Sequence, residues 1–420
     1  MSIKAIVASR LAALYTSEWL LVRNRATAER RRLRKRQAHM IDLFIDPADP
    51  YGYLLLELMP AFAARYEVHV QPWLVGDPED AVAPDRERLA GWSVRDCAML
   101  AARMGIAPPV AALPAADRIA QTRAIIAASI GQDGALQACT DVMMALWTGA
   151  SLPPAPHGDV AAAIAQGNAR RAEAGHYLGS VLAYGGESYW GVDRLHFLEA
   201  RLKELGLRRD GKDAPLYPPP TDMAGPVSRP RGGELHWYLS FRSPYTWLAT
   251  NRVKAIADAH GADLKLRFVL PMVMRSLPVP PVKRRYITRD AAREARRFGI
   301  PFGKICDPVG EPVERGYSLL PWAREQGRGF AYVESFLRNV WSEGIDAGSD
   351  AGLQRIVEQA GLDWSDARRL IGNDGWRAEA EANRQELLSL GHWGVPSFRV
   401  GDTAVWGQDR LWAVDAALRS

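Results

Sequence analysis

Cysteine is nearly absent from this chain. Cys97, Cys139 and Cys306 are spread over 420 residues, and no CxxC pair occurs. That excludes a disulfide scaffold, a zinc–cysteine cluster and a dithiol redox centre, and it suits a reducing cytoplasm. Long apolar runs are missing too, since none approaches the roughly 18 residues that a membrane-spanning helix requires. No compact apolar stretch ending in a small-residue cleavage site opens the sequence, so a secretory signal is not expected. The eight histidines show no HxH or HExxH spacing, which gives no reason to expect a metal. Lysine is scarce as well, and such an arginine bias follows a GC-rich bacterial genome more often than a function.

What is present is an ordinary globular composition, with 48% apolar and 24% charged residues. The length suits two domains. The net charge of +5 is unevenly divided. Residues 1–40 hold ten Lys/Arg against Glu18 and Glu29, a balance of +8, so the other 380 residues carry −3. The protein is therefore a mildly acidic body behind a basic leader, and DNA is not an expected partner. Ile3, Val7, Leu11, Leu14 and Tyr15 fall at helical spacing, and no Gly or Pro intervenes before Ile41. One helix is thus expected over 3–36. Its basic part, 23–36, suits weak contact with a membrane surface or another anionic surface. The favoured alternative is a solvated arginine-rich helix whose apolar first half packs on the body.

The most informative feature is an internal repeat. One unit opens with Ile41-Asp-Leu-Phe-Ile-Asp-Pro-Ala-Asp-Pro-Tyr51 and closes with Tyr189-Trp-Gly-Val-Asp-Arg-Leu195. The other opens with Leu235-His-Trp-Tyr-Leu-Ser-Phe-Arg-Ser-Pro-Tyr245 and closes with Val405-Trp-Gly-Gln-Asp-Arg-Leu411. Two shared signatures in the same order point to a duplication. Between them, 206–233 has six prolines and five glycines and no apolar periodicity, and reads as an extended, partly polyproline linker. The expected organisation is a basic helix at 1–40, a domain at 41–205, the linker at 206–233 and a second domain at 234–420. Each unit begins strand, helix, strand, which implies a right-handed crossover and a parallel pair. In the second unit a helical stretch from about 286 to 390 follows, then a hairpin and a last helix. The expected fold class is α/β: two tandem thioredoxin-like domains, each with a helical insertion.

Ser243 and Pro244 stand where the first strand of the second unit meets its first helix. A serine N-cap followed by proline stabilises a helix by about 1 kcal/mol. The same hydroxyl, among unpaired backbone N–H groups, also stabilises an oxyanion or thiolate. Val395-Pro396 opens a strand after Gly394 and is either a cis peptide or an ordinary edge-strand start. Asp409 either caps the last helix or receives an ammonium group. His392 is expected as a partly exposed loop residue.

These residues resemble the 2-hydroxychromene-2-carboxylate isomerases and the similar kappa-class glutathione transferases, of the DsbA-like thioredoxin superfamily, which implies DsbA-type domains. The resemblance rests on Phe241-Arg-Ser-Pro-Tyr245, Phe298-Gly-Ile-Pro-Phe302, Val340-Trp-Ser-Glu-Gly-Ile-Asp346, Gly394-Val-Pro-Ser-Phe398 and Trp406-Gly-Gln-Asp-Arg-Leu411. It covers about 234–420. It implies glutathione as cofactor, with Ser243 at the position of the first cysteine of a redox pair and Thr246 at the second. It further implies that the Val395 backbone, before a cis Pro396, pairs with the glutathione peptide. By the same resemblance Gln408 and Asp409 hold the γ-glutamyl end. Pro244, Tyr245, Trp341 and Asp346 would line the side facing a small aromatic or unsaturated substrate. The loop at 274–285 lacks the family's asparagine, and Lys283 is the candidate replacement, meeting a glutathione carboxylate. The implied chemistry is isomerisation by thiolate addition, bond rotation and elimination, or transfer that stops after the addition. A non-catalytic scaffold anchored by the basic helix is the alternative. In the first unit Asp49-Pro50 replaces Ser243-Pro244, no proline matches Pro396, and Val192 replaces Gln408 while Asp193 remains. That half reads as a degenerate copy in which Tyr189, Trp190 and Asp193 are structural.

Overall fold

The computed structural model describes residues 3–420, and it describes side chains from Ile6 onward. The chain forms two compact units. The first comprises 22–219 with 280–286; the second comprises residues up to Leu21, 220–279 and 287–420.

The leader is not one helix. α1 (Ile3–Thr16) stops before Ser17, and α2 (Glu18–Arg34) begins there. The hydroxyl of Ser17 accepts from the Leu20 backbone N–H at 3.2 Å, so a serine inside the expected helix caps a new one instead. Nor does α1 pack by its apolar row. Ser9 and Thr16 are buried, beside Gly344 and Gly303 respectively, while Val7, Leu11 and Leu14 are exposed. Close approach to two glycines with positive φ selects small side chains at the contact and turns the larger ones outward. Ile3, the first of the expected row, lies outside the residues whose side chains are described.

In the first unit β1 (Met40–Ile45), α3 (Pro50–Arg65) and β2 (His69–Leu74) form the crossover. Four helices follow: α4 (Arg86–Met104), α5 (Ala116–Ser129), α6 (Ala135–Thr148) and α7 (Val160–Glu173). β3 (Val181–Tyr184), β4 (Glu187–Trp190), a 3₁₀ turn at Val192–Arg194 and α8 (Leu195–Glu204) complete it. β1 pairs in parallel with β2, Leu43 opposite Pro72, and antiparallel with β3, Leu43 opposite Leu182. The sheet order is β2-β1-β3-β4.

The second unit repeats this with β5 (Glu234–Leu239), α9 (Pro244–His260) and β6 (Asp263–Phe268). Its helical part is longer: α10 (Pro281–Phe298), α11 (Glu311–Glu325), α12 (Gly329–Arg338), α13 (Asp350–Gln359), α14 (Trp364–Ala367) and α15 (Trp376–Ser389). β7 (Ser397–Val400), β8 (Thr403–Trp406), a 3₁₀ turn at Gln408–Arg410 and α16 (Leu411–Arg419) close it, with the sheet order β6-β5-β7-β8. Corresponding elements keep constant separations. Met40 and Glu234, Pro50 and Pro244, and His69 and Asp263 are each 194 residues apart. Val181 and Ser397, Glu187 and Thr403, and Leu195 and Leu411 are each 216 apart. The difference of 22 falls where the second unit carries α13 and α14.

Expected domain limits and observed ones differ at the linker and at one helix. Residues 206–219 belong with the first unit and 220–233 with the second. Both halves of this segment are tied down by buried carboxylates. Glu199 on α8 accepts from Leu216 N–H at 3.0 Å and from the Tyr66 hydroxyl at 3.1 Å. Asp415 on α16 accepts from Ala224 N–H at 2.9 Å and lies 2.8 Å from His260 Nε2. An unpaired interior carboxylate is costly, so each recruits a free backbone donor from the extended segment. The segment at 280–286, expected in the second domain, packs with the first unit. Among the described residues no helix is long and apolar enough to cross a membrane.

Around the end of β5 the second unit's core is aromatic. Phe241 stacks on Phe336 with ring centroids 3.9 Å apart, and Tyr317 lies at 4.7 Å. Gly316 makes room for it: a Cβ there would meet Phe336 and come within 3.0 Å of Phe241 Cε2. Gly316→Ala is therefore expected to overpack this core and cost about 2 kcal/mol, read as a lowered urea midpoint with unchanged slope.

Candidate functional site

β5 ends at Leu239, and the chain turns so that Ser243 N–H donates to Ser240 carbonyl at 3.0 Å. Ser243 keeps extended backbone angles, Pro244 takes the first helical position, and the Ser243 hydroxyl accepts from Thr246 N–H at 3.2 Å. This is an N-cap, and it also aims a partly exposed hydroxyl along the positive end of a 17-residue helix. The same Oγ donates to the carbonyl of Val395 at 3.2 Å.

Val395 is there because β7 lies antiparallel beside β5, with Ser397 opposite Tyr238. The Val395–Pro396 bond is cis, so of the two readings of that proline the cis peptide holds. Gly407 N–H donates to Pro396 carbonyl at 2.9 Å, which draws the Gln408–Asp409 turn to the same corner. Gly394 is packed against the Trp406 indole, where any Cβ would collide with the ring.

Other candidates take up more varied positions. Trp341 is buried, donates its indole N–H to Phe241 carbonyl at 3.1 Å and stacks on Phe302, so it braces the turn before Ser243. Asp346, half-buried, accepts from Gly348 N–H at 3.0 Å just beyond a π-helical turn at Asn339–Glu343. Pro244 is buried; Tyr245 donates to Asp290 at 2.8 Å. Thr246, at the second position of the implied pair, is fully buried and faces inward toward Ser240 N–H.

Two of the candidates have surroundings of their own, and one expectation, the exposure of His392, is corrected. Gln408 is buried, and both ends of its amide are in use: Oε1 accepts from Arg252, and Nε2 donates to Glu294 at 3.1 Å and to Asp409. It holds half-buried Asp409 in place. Lys283 lies in the segment 280–286. Its segment packs with the first unit, its ammonium donates to Val82 carbonyl at 2.8 Å, and burial lowers its pKa to about 8. A loop reading missed this because α10 begins at Pro281 and hides the lysine stem. His392 is fully buried rather than a partly exposed loop residue, with its ring 6.1 Å from that of Trp406. Arg252 and Glu294, which brace Gln408, were not legible in sequence: their partners are over 100 residues distant, and neither sits in a short motif.

The corresponding corner of the first unit has different chemistry on the same frame. Trp147 donates to Pro47 carbonyl at 3.2 Å and Tyr51 to Asp96 at 2.6 Å, matching Trp341 and Tyr245 at a spacing of 194. The capping position is Asp49, which accepts from Tyr51 N–H at 3.1 Å and from the Ser180 hydroxyl at 2.7 Å. Ser180 stands where Pro396 does, with φ at +56°. Its hydroxyl thus occupies Asp49, and the corner is closed upon itself. Burial pushes the Asp49 carboxyl up to about 7, with Asp46 adding to the shift, and burial pushes Asp46 up to about 6.

A carboxyl whose folded pKa is raised contributes stability that is complete below its unfolded pKa and is lost as pH rises through the folded value. The first unit is therefore expected to lose stability between about pH 4 and pH 7. Asp49→Asn should flatten that dependence and raise the urea midpoint at pH 8; a parallel pH profile in the variant would contradict the assignment.

Residues 234–419 match the family model of the DSBA-like thioredoxin domain. The C-terminal half is thus a DsbA-like thioredoxin domain. It is similar to the 2-hydroxychromene-2-carboxylate isomerase of Pseudomonas putida, with 24% identity over 192 residues, 44% of this chain and 93% of that protein. The enzyme of the same name from Sphingobium xenophagum is 24% identical over 187 residues, 42% of this chain and 93% of its own. Among solved structures, a 2-hydroxychromene-2-carboxylate isomerase aligns at 23% identity over 44% of this chain and 94% of that one, with a TM-score of 0.39.

Proposed function

We propose that the second unit binds glutathione at Ser243 and uses it for isomerisation of the 2-hydroxychromene-2-carboxylate type. One observation carries the reading: the Ser243 hydroxyl spans the α9 N-terminus and the carbonyl before cis Pro396. Its proton rests on Val395 carbonyl and has only to swing from there to reach a bound sulfur. Donor and helix terminus together favour a thiolate over a thiol. Glutathione, once bound, supplies a nucleophile that adds to an electron-poor double bond, permits rotation about it and leaves unchanged.

The chain's own residues bind and orient. The Val395 backbone pairs with the tripeptide, and Asp409, held by Gln408 and Arg252, receives the γ-glutamyl ammonium. Pro244, Tyr245, Trp341 and Asp346 lie toward an aromatic or unsaturated substrate. Ser243 and Thr246 leave no dithiol to cycle. The constant spacings and the mirrored tryptophan and tyrosine contacts support a tandem duplication, with the first unit as the copy that lost the site.

Calorimetric titration with reduced glutathione tests this. Binding is expected in the natural chain, and Asp409→Ala should weaken it about tenfold, the loss of one charge-assisted contact. Ser243→Ala should instead raise the pKa of the bound thiol, read from thiolate ultraviolet absorbance. Absence of binding at millimolar glutathione would overturn the proposal.

A further inference from the structure

The leader concentrates two properties that the rest of the molecule avoids. Ten large apolar side chains are exposed among the described residues, and six of them lie between residues 7 and 33. The same stretch lies within the segment that holds the chain's excess positive charge. On α2 these features share a face. At about 100° per residue, Trp19, Val22, Ala26 and Leu33 fall within an arc of roughly 60°, bordered on one side by Arg23, Arg30 and Arg34 and on the other by Glu18 and Glu29. Trp19 is 59% exposed, Val22 55% and Leu33 58%. Arg25 pairs with Glu187 at 2.7 Å, and Arg32 pairs with Glu29 on its own helix. α1, described by itself, repeats the pattern, with Val7, Leu11 and Leu14 exposed along one side while Ser9 and Thr16 face the protein.

A solvated charged helix has no use for an exposed tryptophan and a leucine aligned beside a row of arginines. A helix lying in a lipid interface needs that combination: an apolar strip entering the headgroup–acyl boundary and cations reaching the phosphates beside it. We propose that α2 binds the surface of an anionic bilayer. Trp19, Val22 and Leu33 enter the interface, and Arg30 and Arg34 pair with lipid phosphates. The proposal rests on α2 and stands independently of the glutathione reading.

The test is co-sedimentation of the full chain with phosphatidylcholine vesicles, with and without phosphatidylglycerol. Binding is expected only with the anionic lipid, weakening as salt rises. Arg30→Glu/Arg34→Glu should weaken it at least tenfold, and Trp19→Ser/Leu33→Ser should do so as well. The substituted side chains are exposed, so the thermal midpoints of both variants should match the natural chain. No sedimentation at low salt would overturn the proposal. So would undiminished vesicle binding by Trp19→Ser/Leu33→Ser, which would mark a general polyanion site of the kind that takes RNA. A dimer in light scattering that Leu33→Ser dissociates would assign the face to a second copy of the chain instead. The salt series on the unaltered chain keeps the test decisive should a variant fold poorly.

Discussion

The hydroxyl of Ser243 meets the carbonyl of Val395 only because β7 runs antiparallel beside β5, with Ser397 opposite Tyr238. A register slip of one residue would send every side chain of β7 to the opposite face and remove the proline corner from the helix terminus. The rest of the second unit serves that pairing. Gly394 lets Trp406 close over the turn, Trp341 fixes the exit from β5, and Phe241 is anchored in a stack of rings behind it. The longer helical part leaves this corner as it stands, since its additional residues enter between Trp341 and α15.

The two units separate frame from chemistry. Both have a tryptophan that donates to the turn after the first strand, a tyrosine bound to an interior aspartate, and an inward carboxylate on the last helix that takes a linker N–H. These contacts occur whichever residue caps the helix, so they hold the fold. The differences are at the corner itself: serine and cis proline in one unit, Asp49 and Ser180 satisfying each other in the other. Gln408 with its Arg252 and Glu294 bracing belongs to the second unit, where Val192 fills the corresponding place in the first.

Sequence alone made legible what is local and periodic. Strand alternation, the Ser243-Pro244 cap and the return of Trp-Gly-x-Asp-Arg-Leu can all be read from neighbours a few residues apart. What it hid depends on partners distant along the chain. The amide of Gln408 has no visible reason to face inward until Arg252 and Glu294 are brought beside it. Lys283 reads as a loop lysine until its helix carries it to Val82, and α1 reads as an apolar helix until Gly303 and Gly344 select its small residues for the contact. The linker looked free because buried acceptors such as Glu199 and Asp415 leave no mark on the segment that satisfies them.

The most direct test of the central claim is a crystal structure of the chain with reduced glutathione bound. The account predicts the glutathione sulfur within hydrogen-bonding distance of Ser243 Oγ, the hydroxyl released from Val395 carbonyl, and the tripeptide backbone paired at cis Pro396. A sulfur placed elsewhere, with the bond from Ser243 to Val395 kept, would contradict it.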